Sequence, residues 1–186
     1  GVSIGLPRNT DFNGPSQEGI GRYQVNVRNG GRQTAATSFL KPALKRASLE
    51  LVTHALAEKL LLDGERVTGV QYRHKDKVLR VAARRSVILC GGTINSPQLL
   101  ELSGIGNPDV LGPLGLATQH ALPGVGENLQ DHLTINVQQG LRNVRTFADE
   151  TTPLGLLRNA LSWAIRREGL LIHPACQAGA FLRSSP

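Results

Sequence analysis

Two consecutive glycines, Gly91 and Gly92, close an apolar run at residues 87–90 (VILC) and lead into a stretch with helical spacing. A strand, a turn without side chains and then a helix is how α/β proteins bring backbone N–H groups close to a nucleotide. The same two glycines also permit tight strand–helix packing with no ligand, and spacing alone leaves both readings open. GIGNPD at 104–109 and GVGENL at 124–129 lack a third glycine and follow no strand, so neither completes a dinucleotide fingerprint.

Nucleophilic and metal chemistry find little support. Ser96 and Ser103 lie outside any GxSxG elbow; Ser96 reads instead as a helix cap before Pro97, and Cys90 as a small buried hydrophobe at a strand end. Asp131 and His132 are neighbours, and neighbours on a strand face opposite ways, which disfavours a catalytic dyad. His54, His74, His120 and His173 show no metal-ligand spacing. Cys90 and Cys176 form no CxxC pair, so neither a zinc site nor a disulfide framework is expected, and a reduced, cytoplasmic-type setting is compatible with them.

The elements that must position these residues follow from periodicity. Residues 1–31 are rich in Gly, Asn, Pro and Ser and predict mostly loop, with turn chemistry at Asn13-Gly14-Pro15. A short helix is predicted at 34–45, broken or kinked by Pro42. Strand-like runs follow at 49–53, 55–62, 67–73, 78–83 and 86–89. The polar connections Asp63-Gly64 and His74 to Lys77 point to an antiparallel hairpin or meander among them. The uniformly apolar 87–90 predicts a strand buried on both faces. Beyond it the pattern predicts a helix at 96–102, stopped by Gly104, and a short helical turn at 107–114. A loop should occupy 122–130, followed by a strand at 132–138 with Leu133, Ile135 and Val137 on one face. An amphipathic helix at 154–167 and a strand at 179–183 complete the series.

The 186 residues, 40% hydrophobic, suffice for one ordinary domain or parts of two. A formal charge of +7 raises the question of an anionic partner, but the Lys and Arg residues are scattered and aromatics make up 4% of the chain. Continuous basic tracks and stacking platforms are both lacking, so a solvated surface is expected and nucleic acid is not. No apolar run approaches the roughly 20 residues of a membrane-spanning helix. The chain holds no methionine, begins at Gly1 and stops at Pro186 after a strand-like run, and it reads as an internal stretch of a longer protein.

GGTINSPQLLELSGIG, Gly91 to Gly106, resembles the second sequence signature of the glucose-methanol-choline oxidoreductases, with Ser-Pro, the leucine pair and Ser-Gly-Ile-Gly in family order. DFNGPSQEGIG, GRQTAATSFLKPA, LELVTHALAEKLL, RVTGVQYRH and LPGVGENLQDHL resemble the segments flanking that signature in choline dehydrogenase-like members. The likeness covers nearly the whole chain and thins after Leu133.

The resemblance implies an α/β fold, α+β overall: part of a glutathione-reductase-like FAD-binding domain with the beginning of a β-sheet-plus-helices substrate domain. Residues 1–45 would lie at the junction of the two, 46–132 in the FAD-binding domain and 133–186 at the start of the substrate domain. It implies an enzyme that passes a hydride from an alcohol carbon to FAD, with oxygen or another molecule as electron acceptor; the alternative is a non-catalytic nucleotide-binding or interaction module. Ala57 matches a position, usually valine, whose backbone contacts the adenine. Gly91 and Gly92 match the strand end beside the dinucleotide. Asn128, Asp131 and His132 match the loop that closes over the flavin region, although loop-stabilising hydrogen bonds explain Asn128 and Asp131 equally well. Arg32 and Thr34 are expected on the cavity side in a structural role. The amino-terminal GxGxxG and the carboxy-terminal active-site histidine of the family match nothing in this chain; they are expected beyond its two ends, so none of its five histidines takes the role of base.

Overall fold

The computed structural model describes residues 1–137, 139–140, 142–143, 146–172 and 176–183. In chain order its strands are β1 (Gly19–Arg22), β2 (Val27–Arg28), β3 (Gly31–Arg32), β4 (Ala55–Asp63), β5 (Arg66–His74), β6 (Lys77–Ala82), β7 (Ile105–Gly106), β8 (His120–Ala121) and β9 (Ala178–Phe181). The helices are α1 (Lys41–Ala43), α2 (Gly92–Leu102), α3 (Pro108–Leu111), α4 (Phe147–Glu150) and α5 (Pro153–Arg166), with a π-helical turn at Ala36–Leu40 running into α1. This is a mixed helix-and-strand fold. It divides into two compact units, Leu51–Val137 and the pair of segments Gly1–Glu50 and Gln138–Pro186.

The first of these units is built on the meander β4-β5-β6, in which both neighbouring pairs run antiparallel. Its turns match the polar connections read from the sequence. Lys75 and Asp76 both adopt positive φ, 48° and 62°, the backbone of a type I′ hairpin whose twist suits the strands it joins. Two bulges interrupt the β4–β5 pairing: at Ala57/Lys59 the extra residue is Glu58 on β4, and at Leu61/Leu62 it is Thr68 on β5. The Glu58 carboxylate lies 2.7 Å from the Arg73 guanidinium on β5. At the second bulge the Thr68 hydroxyl donates to the Leu61 carbonyl at 3.2 Å.

After α2 the chain forms a small crossover: β7 and β8 pair in parallel, joined through α3. Asn107 caps α3 by accepting from the Asp109 N–H at 3.0 Å, Pro108 takes the first helical position, and Leu111 is fully buried beneath. Gly104 stands at φ +81°, and a Cβ there would lie 2.4 Å from the Ala117 carbonyl oxygen, so only glycine fits.

The other unit pairs β1 with β9 antiparallel, Gly19 opposite Phe181 and Arg22 opposite Ala178. Phe12, 6% exposed, packs edge-on against Phe181 at 5.1 Å and tilted against Tyr23 at 5.7 Å between centroids. Thr152 caps α5, and Arg167, at φ +57°, ends it. The Trp163 indole N–H donates to the Gly30 carbonyl at 2.7 Å, while the Arg167 guanidinium sits 4.4 Å over the Trp163 ring.

Several expectations from periodicity do not hold. Residues 49–53 and 87–90 form no strand; no described strand pairs with them, so their backbone groups join no ladder, and Ile88 is 82% exposed where a doubly buried strand was expected. Cys90 is exposed for the same reason. The stretch 132–137 is likewise extended without a partner, leaving Leu133, Ile135 and Val137 exposed, and Gln138 lies outside the described residues. Helix α2 starts at Gly92, ahead of Ser96, because Gly91 and Gly92 supply the turn; Pro97 falls inside the helix and deprives the Thr93 carbonyl of its usual donor. The α5 helix is where the sequence put it, but Asn159 is its buried residue, while Leu157, Leu161 and Ile165 are exposed. Strand β1 lies in a region expected to be mostly loop.

Candidate functional site

Helix α2 is the element around which the candidate site is arranged. On one side a cleft of about 470 Å³ opens between the start of β4, the extended segment 87–91 and the helix. Ala55 and Ala57 form part of the strand wall, Leu99 and Leu102 part of the helix wall, and Cys90 and Gly91 the connecting edge. The bulge at Ala57/Lys59 interrupts the β4 ladder beside Ala57. The walls are mostly apolar and small, with Asn95, Ser96 and Gln98 adding polar groups along one side. A small ligand that is itself part apolar and part hydrogen-bonding suits that combination of apolar walls and a polar margin.

Gly91 and Gly92 turn out to do different things. A Cβ on Gly91 would sit 3.2 Å from the Asn95 Cβ, so this glycine allows the first turn of α2 to close on itself. Gly92 adopts φ +81° with no atom within 4 Å of where a Cβ would be, so its backbone faces open space. Packing explains the first, and conformation the second.

On the other side of α2 a second cleft, about 590 Å³, lies between the helix and residues 124–130. Asn128 lines it, at φ +60°, and its carboxamide oxygen accepts from the Gln130 side chain at 3.0 Å. Asp131 and His132 follow along the chain and line neither cleft. The Asp131 carboxylate accepts from the backbone N–H of His132 at 2.7 Å, a local turn contact. The structure therefore brings Ala57 and Gly91 together in one cleft, leaves Gly92 outside its lining although it follows Gly91 in the chain, and leaves Asn128, Asp131 and His132 apart.

Ser103 was passed over by motif reasoning, because it lies outside any nucleophile elbow. It is fully buried at the end of α2. Its hydroxyl accepts the Leu60 N–H of β4 at 2.8 Å and donates to the Leu99 carbonyl at 2.5 Å. A serine in the last turn of a helix can bond back to the carbonyl four residues earlier, and that was the available clue. In the other unit, Arg32 and Thr34 line a cleft of about 710 Å³ with Tyr23, Asn26 and Cys176. Thr34 and Thr37 exchange side-chain-to-backbone bonds at 2.8 and 3.2 Å, which fixes the start of the π-helical turn. Among the described residues no group of His, Cys, Asp or Glu gathers to hold a metal, and no helix is long and apolar enough to cross a membrane. His173 lies outside the described residues.

Comparison with known proteins gives a consistent picture. Residues 1–134 match the family model described as GMC oxidoreductase. The oxygen-dependent choline dehydrogenase of Staphylococcus xylosus is 40% identical over 185 residues, which is 100% of this chain and 33% of that protein. Pyridoxine 4-oxidase from Mesorbium loti superposes with a TM-score of 0.67 at 36% identity, over 70% of this chain and 26% of that one. An FAD-dependent oxidoreductase from Chaetomium thermophilum shares the fold over 95% of this chain and 32% of its own, at a TM-score of 0.80 and 24% identity. The chain spans about a third of the length of the curated relatives it matches.

Proposed function

The chain belongs to the GMC oxidoreductase family, and from that membership we propose that it is part of an FAD-dependent enzyme that oxidises the CH–OH group of a small alcohol to an aldehyde or ketone. The observation that carries this reading is the cleft in which Ala57 and Gly91, far apart in sequence, share one small, largely apolar space within the family-matched residues.

The residues present fit the adenosine end of the cofactor. Ala57 would offer backbone groups to the adenine from β4, beside its bulge, Gly91 and Gly92 would keep side chains away from the dinucleotide, and Asn95 and Ser96 would supply polar contacts. Asn128, Asp131 and His132 would approach the flavin end from the loop beyond α2. FAD, when bound, would supply the hydride acceptor, and this chain's residues would hold and orient its adenosine end. No histidine of the chain is assigned the role of base. We assign residues 46–132 to the FAD-binding domain, 1–45 to its junction with the substrate domain, and 133–186 to the start of that domain.

The similarity to a choline dehydrogenase and a pyridoxine 4-oxidase supports an alcohol substrate and makes choline and pyridoxine the first ones to try. The test is to produce the full-length protein and follow its visible spectrum under anaerobic conditions. Flavin absorbance that bleaches on adding an alcohol is expected. A colourless folded protein, or a flavin that neither these alcohols nor other small alcohols reduce, would overturn the proposal. Oxygen uptake against reduction of an artificial acceptor then identifies the electron acceptor.

A further inference from the structure

We propose that Ser103 is a positioning residue for the cofactor cleft, its hydroxyl setting the separation between strand β4 and helix α2; the inference rests on the FAD reading above. β4 is an edge strand, so alternate N–H groups along it face away from β5, and that of Leu60, which finds its partner outside the sheet, is one of these. The Ser103 hydroxyl accepts from it at 2.8 Å and donates its own hydrogen bond to the Leu99 carbonyl at 2.5 Å. Both groups are thereby satisfied in a site with no access to water, since Ser103 is 0% and Leu60 3% exposed. Among the described residues this is the hydrogen bond that joins α2 to β4.

The cleft is walled by the same two elements that this bond joins. Leu99, which accepts from Ser103, and Leu102, which precedes it, both line the cleft, and Ala57 lies three residues before Leu60 on β4. Ser103 does not line the cleft, so its influence runs through the walls. Without the hydroxyl, the Leu60 N–H is buried without a partner, and the last turn of α2 is free to move off the strand. Alanine at 103 removes the bond with little change in volume.

The test uses the full-length protein with Ser103→Ala, and Leu111→Ala as a comparison. Leu111 is fully buried in the same unit but lines neither cleft beside α2. Two quantities are read: the FAD dissociation constant from flavin fluorescence, and the alkylation rate of Cys90, a cleft-wall thiol, in flavin-free protein. Ser103→Ala should weaken FAD binding about tenfold or more and raise the Cys90 rate about threefold, while Leu111→Ala lowers the unfolding midpoint but leaves both within about twofold. Ser103→Cys, which retains a weak donor and acceptor, should fall between parent and alanine, and it replaces the alanine variant with the same criteria if that variant does not fold. Both quantities within about twofold of the parent in a folded Ser103 variant, or equal effects from Leu111→Ala, overturn the inference. If the parent binds no FAD, the cofactor reading falls, and the Cys90 rates alone decide whether Ser103 sets the cleft's width.

Discussion

Cys90 offers a direct probe of where the cofactor goes. It is exposed, and it lines the same cleft of about 470 Å³ as Ala57 and Gly91. A ligand seated against Ala57 and Gly91 must cover the edge that Cys90 forms. An alkylating reagent then reaches the thiol only in the unliganded fraction of the protein. At a free FAD concentration of 100 times the dissociation constant that fraction is about one in a hundred, so alkylation should slow about 100-fold. Cys176 belongs to the other compact unit and is also exposed, which makes it the reference thiol in the same sample. The assay is timed alkylation of the full-length protein, with and without FAD, followed by mass spectrometry of the peptides carrying each cysteine. Selective protection of Cys90 is expected. Equal rates at Cys90 with and without bound flavin would refute the placement, and equal slowing of both cysteines would point to a global tightening instead.

Three further expectations follow from packing and backbone geometry. Leu111→Ala should destabilise the protein by about 2–5 kcal/mol, measured by urea unfolding, because the side chain is fully buried under the β7–β8 crossover and leaves a cavity. Asp76→Gly should stabilise by up to about 1 kcal/mol, seen as a raised melting temperature, since Asp76 holds φ +62° in a type I′ turn that glycine adopts without strain. Ala57→Val should leave the FAD dissociation constant within about threefold, because the proposed contact there is made by backbone and valine is at home in a strand.

The meander was legible because its turns announce themselves: Asp63-Gly64 and the polar tetrad from His74 to Lys77 separate runs with the period of a strand, and the strands fall between them. The α3 turn was legible from Asn107-Pro108, a cap followed by a proline at the first helical position. What was not legible depended on partners far away in sequence. Residues 87–90 have the composition of a buried strand, yet composition supplies no neighbouring strand to bond with, and the segment runs extended and exposed. β1 was hidden in a glycine-rich stretch because what makes it a strand is β9, more than a hundred residues later. Of the site residues, Ala57 and Gly91 came together as a cleft, but the sequence could not say that Asn128 would face the opposite side of α2, since that depends on how 122–130 folds back.

The segment Gly91 to Gly106 that carries the family resemblance is mostly a device for placing backbone. Gly92 turns the chain at φ +81° into α2, and Gly104 turns it out again at φ +81° toward the parallel pair β7–β8. Between them Ser103 fastens the helix end to the edge of β4. None of these residues needs to touch a reacting atom for its identity to matter. Glycine is required at 104 by a carbonyl 2.4 Å from the absent Cβ, and serine at 103 by an N–H with no other partner. Both ends of α2 are thereby fixed, the first by the turn at Gly92 and the last by Ser103 and Gly104, and the helix forms one wall of the cleft. On the proposed reading, substitutions at 103 and 104 should act on how tightly a cofactor is held, through the walls of the cleft and without contact to any reacting group.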